Sequence, residues 1–216
     1  LTGEATEGGS DLENACVGRR TGDGEFTFYQ QLEAGKGFTF VSSKGDDRTT
    51  YTVVNGVLND QSAEPPTIAR SGVYRIKLDL NVRGITFEHI DRVEFNFAPR
   101  TEDNGNMEYI GNGCWKFSDY NVKFREESWG LDQRYNFHPV FDGVTYVWAG
   151  TKGNDSSPSA LSGAEYYILT ENLFTGDAYG PEKFKFHSDF NGKKVDITLI
   201  MSGDVENCTH VIEIVG

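Results

Sequence analysis

The side chains here that could do chemistry are carboxylates, imidazoles, thiols and flat aromatic rings, and their spacing decides what each set can do. Glu88, Asp91 and Glu94 in EHIDRVE are the most tempting carboxylate group, since sandwich-fold glycosidases use such trios. A retaining pair needs two carboxyl groups about 5 Å apart, and residues of one strand share a face only at even offsets. Here the offsets are three and three, so the reading is of charged residues at a seam between two domains. No GxSxG elbow, HExxH helix or phosphate loop occurs. His89, His138, His187 and His210 are isolated; His187 with Asp189 could touch a metal, but a solvated imidazole is the ordinary reading. TEDNGNMEY crowds Glu102, Asp103, Asn104 and Asn106, yet lacks the ordered ligands and terminal Glu of an EF-hand loop. Neither catalytic residues nor a cofactor nor a metal site is expected.

Aromatic and amide chemistry remains. Sugars present apolar C–H faces and a rim of hydroxyls, so a neutral glycan is held by exposed rings that stack on it while polar groups take the hydroxyls. Candidates cluster in the second half: Trp129 in EESWGLDQRY, Trp148 in TYVWAGTKGNDSSPS and Tyr179 in FTGDAYGPEKF. Trp148 is the preferred stacking ring, because it ends a strand where a long polar loop begins, and Asp155 in that loop is a candidate hydroxyl acceptor. Trp115, in GNGCWKF, reads as a core tryptophan. Any one ring also has a plainer reading, since a β-sandwich must bury aromatics.

Positioning these residues falls to short strands. In GVYRIKLDLN, Tyr74, Ile76, Leu78 and Leu80 take one face, with Arg75, Lys77 and Asp79 on the other, the pattern of a half-buried strand. Arg83-Gly84 can turn it into VRGITFEHI as a hairpin. Phe26 and Phe28 in EFTFYQ, then Phe38 and Phe40 in GFTFVS, predict a second hairpin closed by LEAGKG with four phenylalanines on the core face. PEKFKFHSDFNGKKVDITLIM is a weak echo of that pattern. Further alternating runs are VEFNF, CWKF, YNVKF, RYNFHPVF, VTYVWA, EYYIL and THVIEIV, with Asp142-Gly143 and Asn191-Gly192 as tight turns. No segment holds a helical period for three turns. Short strands, and 25 glycines in all, predict an all-β chain of two antiparallel β-sandwich domains, immunoglobulin-like or carbohydrate-binding-module-like, dividing near Ile90-Asp91 into 1–90 and 91–216.

Composition narrows the partners. The chain of 216 residues, 37% hydrophobic and 13% aromatic, can bury a sizeable core. With 33 acidic against 20 basic residues, the formal charge of −13 repels phosphate backbones, so nucleic acid is not an expected partner. No apolar run approaches the roughly 18 to 20 residues of a membrane span. The opening LTGEATEGGSD has neither a charged n-region nor an apolar h-region, which suggests a chain that starts mid-protein with any targeting segment already removed. Cys16, Cys114 and Cys208 are odd in number and far apart, so three buried thiols are expected; a Cys114–Cys208 disulfide is the alternative in an oxidising compartment. NDS at 154–156 and NCT at 207–209 are glycosylation sequons only in a eukaryotic secreted protein.

LTGEATEGGSDLENA, DGEFTFYQQLEAGKGFTFVSS and SGVYRIKLDLNVRGITFEHI, in that order, resemble the SusE/SusF-type surface glycan-binding proteins over roughly residues 1–90. The resemblance implies a non-catalytic lipoprotein module on the outer-membrane surface, facing outward beside a glycan importer of a polysaccharide-utilisation locus, its anchor upstream of this chain. Starch-binding members carry a stacking Trp after the Gly-Gly of the opening and a Lys within the second F-x-F strand. Ser10 and Thr39 stand at those positions, whereas Lys185 matches in the later FKF. The resemblance thus moves the expected carbohydrate site to residues 91–216, with Lys185 as hydroxyl donor. A structural or adhesive module docking to the importer is the alternative, and a glycoside hydrolase a lesser one.

Overall fold

The structure, a computed structural model, describes residues 1–61, 64–150, 157, 158, 161, 165–174 and 183–216. It is all-β and antiparallel, of sandwich type, and its contacts separate it into two compact units. Unit one comprises Leu1–Ile90 together with two later loops, Gly111–Gly113 and Met201–Glu206; the remainder is unit two. One strand of fourteen residues, Gly84–Phe97, contributes residues to both units.

Unit one contains β1 (Arg19–Gly22), β2 (Glu25–Leu32), β3 (Phe40–Val41), β4 (Thr50–Val54), β5 (Val57–Asn59), β6 (Gly72–Asp79) and the first half of β7 (Gly84–Phe97). β2 pairs with β1 and β6, and β6 with residues 84–90 of β7. The β6–β7 hairpin has the expected register, Asp79 opposite Gly84, with Arg83 at φ +53° in its turn. The second expected hairpin does not form. β3 pairs with β4, not with β2, and Phe28 and Phe40 instead meet edge to face with ring centroids 5.5 Å apart. Alternation correctly placed the phenylalanines on the apolar side, but an apolar side can be buried against a facing strand as well as a neighbouring one. Phe28, Phe38, Phe40, Ile76 and Leu78 are buried there, with Phe26 packed against them.

The other face of β6 differs from its expected solvated state. Arg75 is 2% exposed and forks onto Glu88, its cross-strand partner, through Nε at 2.7 Å and Nη2 at 3.0 Å; Lys77 adds a third contact at 3.1 Å. Tyr29, opposite Arg75 on β2, is buried as well. The later loops explain part of this. Gly113, at φ +67°, comes so close to Tyr29 that a Cβ there would sit 3.2 Å from the Tyr29 Cβ. Only glycine combines that backbone conformation with that approach.

Unit two contains the end of β7, β8 (Gly105–Asn106), β9 (Glu108–Gly111), β10 (Cys114–Asn121), β11 (Arg125–Glu127), β12 (Gly130–Asp132), β13 (Arg134–Phe141), β14 (Val144–Ala149), β15 (Thr170–Leu173), β16 (Phe184–Lys185), β17 (Lys194–Ile200) and β18 (Thr209–Ile214). One sheet runs β7–β13–β14–β15, with β16 on β13 and β8 on β7; the other runs β18–β17–β10–β9. Asp142 and Gly143, at φ +46° and +81°, make the type I′ turn that joins β13 to β14. Asn191-Gly192 also turns, but its backbone leads from a short 3-10 segment into β17 and closes no hairpin. EYYIL is mostly turn rather than strand, and YNVKF is strand only to Asn121. The core is aromatic: Phe95, Phe97, Tyr135, Phe137, Phe184 and Phe186 are fully buried.

Candidate functional site

The carboxylates, amides and imidazoles singled out by sequence are mostly occupied in holding the fold. Glu88 pairs with Arg75; burial pushes its carboxyl up, but hydrogen bonds and charge from Arg75 and Lys77 outweigh that and hold it below its ordinary value. Asp91 accepts a hydrogen bond from the Gly143 N–H at 2.8 Å, bracing the β13–β14 turn. Glu94 sits opposite Asn106 in the β7–β8 ladder. Asn104 accepts from the Phe97 N–H and donates to Asn96, both at 2.8 Å, so TEDNGNMEY is a backbone clamp. Among the described residues no three His, Cys, Asp or Glu side chains converge as metal ligands; of the three cysteines, Cys208 is buried and Cys16 and Cys114 are half-buried.

His210 is fully buried in unit two. Its Nδ1 lies 3.0 Å from the Tyr167 carbonyl, which can only accept, so Nδ1 carries the proton and Nε2 accepts from the Tyr135 hydroxyl at 2.8 Å. Burial lowers its pKa to about 3. His210 is therefore a neutral core residue. His138 is also pushed down, to about 4, by burial and then by Lys183.

Trp148 needs correction. It is 1% exposed, its ring among Phe141 and Trp115 at centroid distances of 6.0 and 6.2 Å, and its Nε1–H donates to Glu171 Oε2 at 2.8 Å. Glu171 is its register partner on β15. A strand more than twenty residues away in sequence thus supplies the acceptor that lets the indole go inside, and the ring has no face left for a sugar. Trp115 is core, as read from its sequence. Tyr179 and Asp155 lie outside the described residues.

Trp129 is the opposite case. β11 and β12 form a two-stranded ribbon in which Glu127 faces Gly130, leaving Ser128 and Trp129 as its two-residue loop. A loop that short offers nothing to bury an indole against, and Trp129 is 61% exposed. The Arg134 guanidinium lies over the ring, 5.2 Å from its centroid. That guanidinium is itself fixed by Asp132, Nε to Oδ1 at 2.8 Å and Nη2 to Oδ2 at 2.7 Å. Burial pushes the Asp132 carboxyl up, but the Arg134 hydrogen bonds and charge prevail and hold it below the usual range.

Lys185 joins this group through the sheet. It is directly opposite Arg134 in the β13–β16 pair, so both side chains point to the same outward face while Tyr135 and Phe184 point to the core. The Lys185 N–H donates to the Tyr166 hydroxyl at 2.7 Å, which secures the two-residue strand. The structure therefore brings Trp129 and Lys185 together through Arg134. Arg134 and Asp132 were missed by sequence reasoning; their i, i+2 spacing beside an exposed tryptophan is the signal that could have found them. Chemically the surface offers a flat apolar ring, a planar guanidinium paired with Asp132, and an ammonium. No protein-family model matches the chain, and no curated protein matches it.

Proposed function

We propose that this protein is a non-catalytic glycan-binding protein whose site is the Trp129 platform of unit two. The observation that carries the reading is an indole 61% exposed, braced on one side by an arginine that a carboxylate holds in place. A braced ring loses little freedom when a sugar stacks on it, so more of the contact energy remains as affinity. Arg134, with Lys185 opposite it on the same sheet face, offers N–H donors for sugar hydroxyls. The resemblance of residues 1–90 to SusE/SusF-type proteins supports placing the chain on an outer-membrane surface, working beside a glycan importer. Among the described residues no helix is long and apolar enough to cross a membrane.

Native affinity electrophoresis through gels cast with plant, fungal and host polysaccharides tests this. The wild-type chain is expected to be retarded by one class of glycan, and Trp129→Ala to migrate freely in the same gel. Free migration of the wild type in every gel would sink the proposal.

A further inference from the structure

Unit one has a concavity of its own, unrelated to the Trp129 platform. Its volume is about 380 Å³, inside the roughly 300–1,000 Å³ typical of small-molecule pockets. Phe26 and Phe28 of β2, Phe40 of β3, Tyr51 of β4, and Leu78 and Leu80 at the end of β6 form its walls. The cause is local: β3 is only two residues long, so after Val41 no strand continues opposite β2 and β6, and the sandwich is left open at that end. Phe26 and Tyr51 are only half-buried, and Leu80 is 39% exposed. Polar groups are concentrated on one rim, where Ser42, Ser43 and Lys44 follow β3. Lys44 Nζ donates to the Glu13 carbonyl at 2.6 Å, a neutral acceptor, and among the described residues no carboxylate pairs with it. An ammonium has three donors, so that contact leaves two for an anion.

An apolar cavity with the Lys44 ammonium at its mouth fits an amphiphile with an anionic head. We propose that this cavity binds an unbranched alkyl carboxylate, its tail among Phe26, Phe28, Phe40 and Tyr51 and its head on Lys44. Volume sets the length. At about 30 Å³ for each water-sized group, the cavity accommodates a chain of roughly eight to ten carbons with its head at the rim. The net charge of −13 opposes an anion at long range, but the screening length in physiological salt is about 8 Å, so the contact at Lys44 decides.

Isothermal titration of the full chain with saturated carboxylates of six to fourteen carbons, each below its micelle concentration, tests the proposal. Burying each methylene tightens binding about fourfold, so affinity should climb by that factor per carbon up to about ten carbons and then level off. The alcohol of the same length should bind more weakly, and Lys44→Met should remove that difference. Leu80→Asp should abolish binding of all of them, with circular dichroism confirming the fold; Lys44→Met is a surface change and decides the matter if Leu80→Asp does not fold. Three results would overturn the proposal: no binding of any chain at millimolar concentration, affinity that keeps rising to fourteen carbons, or equal affinity for acid and alcohol.

Discussion

Acid should weaken unit two through two imidazoles, His210 and His138, and the size of the His210 share follows from its surroundings. The His210 imidazole is buried and neutral with a pKa of about 3, against an ordinary value of about 6.5 when unfolded. Because the folded value lies below the unfolded one, the unfolded state binds the proton first. His210's contribution to stability is therefore complete above pH 6.5 and is lost progressively as pH falls toward 3, at about 1.4 kcal/mol per unit. Between pH 7 and pH 5, before most carboxylates titrate, the loss is about 2 kcal/mol. The chain has three tryptophans, Trp115, Trp129 and Trp148, all in unit two, so tryptophan fluorescence during urea unfolding reports the unit that holds His210. With a slope of 1–3 kcal/mol per molar urea, the His210 share alone should lower the midpoint by roughly 1 M over that pH range. His210→Gln keeps a donor for Tyr167 and an acceptor for Tyr135 but does not titrate. It should be less stable at pH 7 and keep only about half of the acid-dependent drop, the share of His138, whose folded pKa of about 4 also lies below this pH range. Parallel midpoint-against-pH curves for wild type and variant would refute the reasoning.

Two further substitutions test the fold around the site. Trp148→Ala empties a core position, so denaturant unfolding should show a loss of about 3–5 kcal/mol, whereas Trp148→Phe should keep most of the stability and all of the glycan retardation. Glu88→Gln leaves the buried Arg75 without its charged partner; because Glu88 is 24% exposed and water can compensate in part, about 2–3 kcal/mol should be lost, below the 3–5 kcal/mol of a fully buried pair.

Much of the architecture was legible because period-two alternation reports which residues share a face. The β6–β7 hairpin and the Asp142-Gly143 turn were legible for a further reason: their pairing is local and the turn backbone demands those residues. Alternation is silent on partners, and that is where the reading failed. EFTFYQ and GFTFVS carry matching faces, yet β2 joins β6 and β3 joins β4, a choice made by contacts distant in sequence. The loops at 111–113 and 201–206 belong to unit one for the same reason, which no scan along the chain can detect. Trp148 and Trp129 looked alike in sequence, both aromatic beside glycine and polar residues. β15 and Glu171 enclose the first, while the two-residue loop of the β11–β12 ribbon holds the second out in water.

That contrast supplies the most direct test of the glycan site. Of the three tryptophans, Trp115 and Trp148 are buried and only Trp129 is open to a collisional quencher. Acrylamide quenching of tryptophan fluorescence, with and without the polysaccharide that retards the chain in native gels, reads that ring alone. The account predicts one readily quenched component, absent in Trp129→Phe and protected in the wild type at saturating glycan. Quenching that is unchanged when the glycan is bound would show that the sugar sits elsewhere and that Trp129 is not its platform.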